Sequence, residues 1–380
     1  MTASPRILVL SASVGGGHVS AAKAVTSALQ ETAPNATILN VDVLDRSNAA
    51  FRRIYGRTYL DLVDAAPHLL GYFYDVMDRP RRAGSVRERM RLAFERLNLG
   101  RLLRLLEKEG PWDLAVCTHF LPAEIIAWLR RTGRSSLKQM TVTTDFETHR
   151  LWVNQPCDRY TTATQEGKLY LKHWGVPEGD VRVTGIPINP VFAQPKDRDE
   201  CRSRLGIGGG RPVILHLAGG FGVGPVREQY RALLSVERPI EVVVVAGKNA
   251  RVKADLERAP VPPRHRAKVL GFTDRMDELM AAADVVVSKP GGLTTSEAMA
   301  RGAAMVVVSP IPGQEGRNSD HLLESGAAIK VNNTATLAHK VGCLLGDADR
   351  LEGLRANARR IGRPRAAYDV AEEALRLLAA

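Results

Sequence analysis

Gly15-Gly16-Gly17-His18 brings an imidazole to the end of a glycine run, between the apolar stretch Ile7–Leu10 and a helical pattern from Ser20 to Leu29. Glycine lets backbone amides approach a ligand closely and accepts positive φ without a Cβ penalty. The helix that follows adds a partial positive charge at its N-terminus. Histidine titrates near neutral pH, so a base, exposed amides and a dipole meet at one point. The plainer alternative is an anion-binding loop whose histidine only caps or packs.

Three loops in the second half hold complementary groups. Leu215-His-Leu-Ala-Gly-Gly-Phe-Gly-Val-Gly-Pro225 reads as a strand ending in a glycine loop, of the kind that cradles phosphate through amide hydrogens. Val285-Val-Val-Ser-Lys-Pro-Gly-Gly-Leu-Thr-Thr-Ser-Glu297 reads as a strand, a turn at Pro290-Gly291-Gly292, and a helix opening at Leu293 or Thr294. Amides and threonine hydroxyls at that tip suit a diphosphate, and the Glu297 carboxylate suits a ribose diol. Thr294-x-x-Glu297 also fits a capping box, which serves the helix alone. In Ser309-Pro-Ile-Pro-Gly-Gln-Glu-Gly-Arg-Asn318, Gln314 and Glu315 present an amide and a carboxylate suited to sugar hydroxyls, unless the string is only a proline-rich turn.

These groups need a scaffold that gathers loops at one end of parallel strands. Strand-like runs alternate with helical patterns: Ile7–Leu10, Thr37–Val41, Leu114–Thr118, Gln139–Thr143, Arg159–Thr162 and Val181–Thr184 in the first half. Val213–Leu217, Glu241–Val245, Lys268–Leu270, Val285–Ser288 and Met305–Val308 follow in the second. The alternation predicts α/β architecture with two doubly wound Rossmann-like domains, residues 1–193 and 194–363, facing across a cleft. A polar stretch from Phe192 to Gly210 reads as the linker, and residues 364–380 as a final helix that packs back on the first domain. His119 follows a strand end, from which it either enters the cleft or packs.

With 380 residues the chain is long enough for two cores. The net charge of +12 points to an anionic partner: nucleic acid, a membrane surface or a phosphorylated substrate. Much of it lies in the helical insertion from Phe51 to Glu109, where ten basic residues between Arg79 and Lys108 face three acids and interleave with Leu99, Leu102, Leu105 and Leu106 among other apolar residues. Such a segment suits an anionic membrane surface, or else a solvated face with its apolar side on the core. No nucleic-acid reading motif accompanies it, so nucleic acid is not expected. Cys117, Cys157, Cys201 and Cys343 have neither disulfide nor zinc spacing. Asp197–Asp199 and Asp347–Asp349 read as solvated acids, and no metal is expected. With no signal-peptide pattern and no apolar run long enough to span a bilayer, the expected location is the cytoplasm, peripheral on the inner face of the cell membrane.

Together the motifs resemble glycosyltransferase family 28, in the branch of monogalactosyldiacylglycerol synthases and processive diacylglycerol glucosyltransferases. The residues that carry this are Gly15-Gly-Gly-His-x-Ser-Ala-Ala22, Thr143-Thr-Asp-Phe…His149…Trp152, Gly185-Ile-Pro-Ile, Gly271-Phe272, Lys289-Pro-Gly-Gly…Ser296-Glu297 and Pro312-Gly-Gln-Glu315. The resemblance implies a GT-B fold and metal-independent, inverting transfer of a hexose from UDP-glucose or UDP-galactose to a lipid, foremost diacylglycerol. It implies His18 as the base, with Gly16, Gly17, Asp145, His149 and Trp152 on the acceptor side. On the donor side it implies backbone at Gly271 and Phe272 for uracil and Glu297 for ribose. Gly220, Phe221, Gly222, Pro290, Gly291, Gly292, Leu293 and Thr294 would surround the diphosphate, and Gln314 and Glu315 the sugar. A polyprenyl or soluble acceptor, or a catalytically silent adaptor that binds nucleotide-sugar at a membrane, stays open at this point.

Overall fold

A computed structural model of the protein describes residues 4–49, 51–53, 98–220 and 224–380. The chain forms two compact units, Met1–Pro190 with Pro312–Gln314 and Arg365–Ala380, and Val191–Ile311 with Glu315–Pro364. The boundary expected at residue 193 falls within the short turn Pro190–Ala193.

In the first unit β1 (Arg6–Ser11), β2 (Thr37–Asp42), β3 (Leu114–Cys117), β4 (Lys138–Val142), β5 (Arg159–Thr162) and β6 (Val181–Val183) form a parallel sheet in the order β2-β1-β3-β4-β5-β6. Its helices include α1 (Gly16–Thr32), α2 (Gly100–Lys108), α3 (Phe120–Arg131) and α4 (Gln165–His173). Ile7 to Leu10 is apolar throughout because helices cover both faces. Leu8 and Leu10 pack with Leu102, Leu105 and Ile125, whereas Ile7 and Val9 pack with Val25 and Leu29 of α1.

Of the insertion only residues 51–53 and 98–109 lie within the described residues; Arg79 to Arg96 lie outside them. In α2 the leucines face inward: Leu102, Leu105 and Leu106 are buried, whereas Arg101, Arg104 and Lys108 are exposed. There the plainer expectation holds, a charged face on solvent and an apolar face on the core, because Leu102 and Leu105 complete the layer under β1 and β3. Among the described residues no helix is long and apolar enough to cross a membrane.

The second unit holds β7 (Val213–Leu217), β8 (Glu241–Val245), β9 (Arg266–Leu270), β10 (Val285–Ser288), β11 (Ala304–Val308) and β12 (Ala328–Val331), parallel in the order β12-β11-β10-β7-β8-β9. This is the Rossmann strand order. Its helices are α5 (Arg198–Leu205), α6 (Val226–Leu234), α7 (Ala250–Glu257), α8 (Met276–Ala282), α9 (Gly292–Ala300), α10 (Gln314–Glu324), α11 (Leu337–Gly346) and α12 (Ala348–Ile361). β12 escapes sequence reading because it is a four-residue edge strand with only its terminal residues buried.

The polar stretch read as linker contains α5. Asp197 caps it by accepting from the Glu200 amide, Cys201 and Leu205 are buried, and Gly206 ends it in the left-handed region. Its many charges hide this single apolar edge. Asp347 caps α12 in the same way, from the Arg350 amide. Both Asp-x-Asp strings thus begin with a helix cap.

The last helix, α13 (Ala366–Ala379), lies on α1, with Val370, Ala371 and Ala374 in the same core as Val25 and Leu29. Buried Glu373 anchors it, 3.6 Å from Arg159 of β5 and 3.7 Å from Arg182 of β6. Lys138 Nζ donates to the Leu377 carbonyl at 2.9 Å.

Candidate active site

Strand order reverses between β1 and β3 in the first sheet and between β7 and β10 in the second. Doubly wound sheets bind ligands beyond the carboxyl ends of the strands at such reversals. His18 follows β1 at the first, and Gly220 and Pro290 to Thr294 follow β7 and β10 at the second, whereas Gly271 and Phe272 follow the edge strand β9.

α1 begins at Gly16, so His18 stands in the first helical turn and not in a loop. Gly15 is the N-cap at φ 119°, a conformation that demands glycine, whereas added Cβ atoms at Gly15 or Gly16 would meet nothing within 4 Å. Backbone shape, not crowding, explains that part of the run.

His18 is half-buried, and Thr118 at the tip of β3 clasps it. The Thr118 carbonyl lies 3.0 Å from His18 Nδ1, and the Thr118 hydroxyl donates to the His18 carbonyl at 3.0 Å. A carbonyl only accepts, so the contact places the proton on Nδ1 and leaves Nε2 as the basic nitrogen. The Thr144 hydroxyl stands 2.9 Å from the same Nδ1. Burial lowers the His18 pKa to about 4, against the opposing pull of the Thr118 carbonyl. At neutral pH the ring is an uncharged base.

His119 is buried and caps α3, its Nδ1 accepting from the Leu121 amide at 3.0 Å. Its ring meets the His18 ring edge-on at 4.6 Å, and burial holds it well below the usual imidazole range. Trp152 packs at 5.9 Å from His18 and donates from Nε1 to Asp145 Oδ2 at 2.8 Å. His149, also buried, caps the short turn Arg150–Trp152 by accepting from the Leu151 amide at 3.1 Å. The structure thus sets His119 and Trp152, the latter held by Asp145, beside the His18 imidazole, with Gly16 and Gly17 in the turn that carries it. Thr144, which orients the ring, lies in the Thr143-Thr-Asp-Phe motif, which does not single it out, and Thr118 has no sequence signature beyond following a strand end.

At the second reversal, α9 starts at Gly292 with Gly291 as N-cap and no side-chain cap bond. The expected capping box from Thr294 to Glu297 does not form, because the helix opens earlier than either Leu293 or Thr294. Glu297 therefore sits in the second turn. Burial, reinforced by the nearby Asp277 charge, pushes its pKa up to about 8. The unliganded side chain is mostly a neutral acid at pH 7, not the carboxylate expected from sequence.

Gly291 and Glu315 are neighbours: a Cβ on Gly291 would lie 3.9 Å from Glu315 Oε1. Glu315 Oε2 accepts from the Ile311 amide at 2.8 Å, and burial raises its pKa. Asn318 Nδ2 donates to the carbonyl of buried Pro290 at 2.9 Å, tying α10 to the Pro290-Gly291 turn. Before this loop, Ser309 adopts φ 44° and accepts from Gln229 Nε2 at 3.1 Å, while Gln229 Oε1 accepts from buried His216 Nε2 at 3.1 Å. Positive φ at a non-glycine residue is a feature concentrated at functional sites.

Gly219 and Gly220 pass close to Gly247, where a Cβ would approach their carbonyl oxygens to 2.6 and 2.8 Å. Gly247, at φ 64°, is a requirement that no motif announced. Phe221 and Gly222 lie outside the described residues. Gly271 and Phe272 follow β9, and the Phe272 ring is 70% exposed with Lys248 Nζ 5.6 Å from its centroid. An exposed aromatic face at a strand tip suits a planar base.

Residues 18–188 match the monogalactosyldiacylglycerol (MGDG) synthase family, and residues 197–361 match glycosyl transferases group 1. A processive diacylglycerol β-glucosyltransferase of Bacillus licheniformis is 31% identical over 359 residues, covering 94% of this chain and 91% of that protein. This chain belongs to the family of processive diacylglycerol glucosyltransferases. Among solved structures, MurG of Acinetobacter baumannii aligns with TM-score 0.60 and 16% identity over 98% of this chain and 99% of that one. Anabaena Alr3699/HepE, solved in complex with UDP-glucose, aligns with TM-score 0.58 and 15% identity over 98% and 99% of the two chains. Identities this low speak to fold alone, and the fold is GT-B. The diacylglycerol glucosyltransferase family likeness spans both units, as the order of the motifs implied.

Proposed function

We propose that the protein transfers glucose from UDP-glucose to diacylglycerol, with inversion at the anomeric carbon and without a metal. The reading rests chiefly on the 31% identity across both units to a diacylglycerol β-glucosyltransferase. UDP-glucose carries an α-linked sugar, so a β-glucoside follows from a single displacement. In that step Nε2 of His18 takes the acceptor hydroxyl proton as its oxygen attacks the anomeric carbon. The bond from that carbon to the diphosphate breaks, and the electron pair leaves with UDP. The neutral, Nδ1-protonated ring of His18 suits the base role. The opening amides of α9, from Gly292 to Thr294, suit the leaving diphosphate. Asp145 and Trp152 line the acceptor side in this reading; Gln314 and Glu315 hold the glucose hydroxyls, and Phe272 faces the uracil.

The basic segment from Arg79 to Lys108 meets the anionic inner face of the cell membrane, where the acceptor resides. In its described part Arg101, Arg104 and Lys108 are exposed, with Glu107 as the exposed acid among them.

The deciding assay offers radiolabelled UDP-glucose and UDP-galactose to the protein with diacylglycerol in anionic vesicles. Labelled glucosyl lipid from UDP-glucose is the expected product. Transfer only to a polyprenyl phosphate or soluble alcohol refutes the acceptor, and no transfer with intact UDP binding refutes the enzyme reading. Flotation with anionic but not neutral vesicles is expected as well.

A further inference from the structure

Lys289 is the last residue before the Pro290-Gly291 turn, immediately beyond β10 at the point where strand order reverses. It is half-buried. On one side its Cε stands 4.0 Å from the position a Cβ on Gly219 would occupy, so the chain runs beside the glycine loop that ends β7. On the other side its charge acts on Glu315 and opposes the rise that burial imposes on that carboxyl. Glu315 in turn borders Gly291. Yet Lys289 has no ion pair within 4.0 Å among the described residues. An ammonium held partly out of water without a counter-ion is poorly compensated, and an anion at that point restores the balance.

We propose that Lys289 is the cation that binds the diphosphate of the donor and stabilises it as the leaving group. The proposal rests on the donor reading above and names the charge which that reading lacks. A glycosyl donor that leaves as UDP develops negative charge on its outer phosphate as the anomeric bond breaks. The opening amides of α9, from Gly292 to Thr294, supply partial charges only, and Lys289 supplies a full one. Its proton stays in place throughout, because the acceptor proton goes to His18. Gly219 is glycine for its backbone, at φ 75°, and the lysine stem lies at ordinary contact distance from it.

The test compares UDP, UMP and uridine binding by calorimetry in the wild-type chain, Lys289→Met and Lys289→Arg, alongside kcat with UDP-glucose. Lys289→Met is expected to weaken UDP by about tenfold to a hundredfold, the size of a lost charge-assisted contact, while leaving uridine unchanged. Retained uridine binding also shows that the variant is folded. kcat falls with UDP affinity, and Lys289→Arg recovers most of both. Equal binding of UDP by wild type and Lys289→Met, or an equal loss for UDP and uridine, overturns the role of Lys289 while the donor site stands. A wild-type chain that binds none of the three overturns the donor reading itself, and the lysine's role with it.

Discussion

His18 Nδ1 and the Thr118 carbonyl oxygen stand 3.0 Å apart, and that contact selects which ring nitrogen is left unprotonated. The partner is a backbone carbonyl, not a carboxylate. It orients the ring and holds the tautomer, but brings no full negative charge to strengthen the base. This fits the pKa of about 4, in which burial outweighs the hydrogen bond. The ring stays neutral across the physiological range, and reactivity depends on orientation.

The pH dependence follows directly. A depressed histidine pKa means that protonation, and loss of the base, requires acid well below the usual imidazole midpoint. The acid limb of kcat/KM is expected near pH 4, with activity falling as pH drops through it. Rates with UDP-glucose and dispersed diacylglycerol across pH 3.5 to 8, about the range set by that pKa and the ordinary one near 6.5, decide it. An inflection at the ordinary midpoint would sink the buried-base assignment. His18→Ala should abolish transfer while UDP still binds.

Thr144 is a positioning residue for the same ring. Its hydroxyl is 2.9 Å from His18 Nδ1, and Thr144→Val keeps the shape while removing that contact. Loss of one neutral hydrogen bond is worth about 1 kcal/mol, so kcat should fall roughly three- to tenfold. KM for UDP-glucose should not move, and Thr144→Ser should restore the rate. A change confined to KM would show that the hydroxyl serves packing or substrate binding instead.

Glu297 predicts a proton release. With a raised pKa of about 8, the free side chain is mostly protonated at pH 7. A ribose diol that donates to its carboxylate favours the ionised form, so nucleotide binding should expel a proton and strengthen as pH rises toward 8. Calorimetry in buffers of different ionisation enthalpy measures that release. Glu297→Gln should abolish it and weaken UDP binding; an unchanged release in this variant refutes the contact.

Gly247→Ala tests how the glycine loop is held. The substitution forces a side chain into φ 64° and into the carbonyl oxygens of Gly219 and Gly220, at 2.6 and 2.8 Å. A loss of about 2 kcal/mol in unfolding free energy is expected from the left-handed backbone and the clash together. UDP affinity should fall with it, because the loop must shift. Gly16→Ala, where an added Cβ meets nothing, should leave thermal stability nearly unchanged.

Periodicity and composition alone determine a great deal here. Apolar runs short enough for strands, separated by helical patterns, specify parallel sheets covered on both faces, and four of the strands are legible to the residue: Arg159–Thr162, Val213–Leu217, Glu241–Val245 and Val285–Ser288. Glycine runs and the Lys289-Pro290-Gly291-Gly292 string marked the strand tips where ligands gather, because close backbone approach needs residues without side chains. Charge-rich segments were harder to read. The apolar edge of α5 hides among its ionised residues, and the leucines of α2 suit a membrane by sequence, whereas Leu102 and Leu105 lie in the core.

Only the tertiary structure decides protonation and partnership, since both depend on groups distant in sequence. Thr118 and Thr144 reach His18 across |i−j| of 100 and 126 residues, and no local pattern encodes such a contact. Glu297 reads as a carboxylate in sequence and is a neutral acid in the fold, because burial and the Asp277 charge make ionisation costly. Residue types and spacing thus set which chemistry this chain can perform. The environment supplied by folding sets which atom carries the proton.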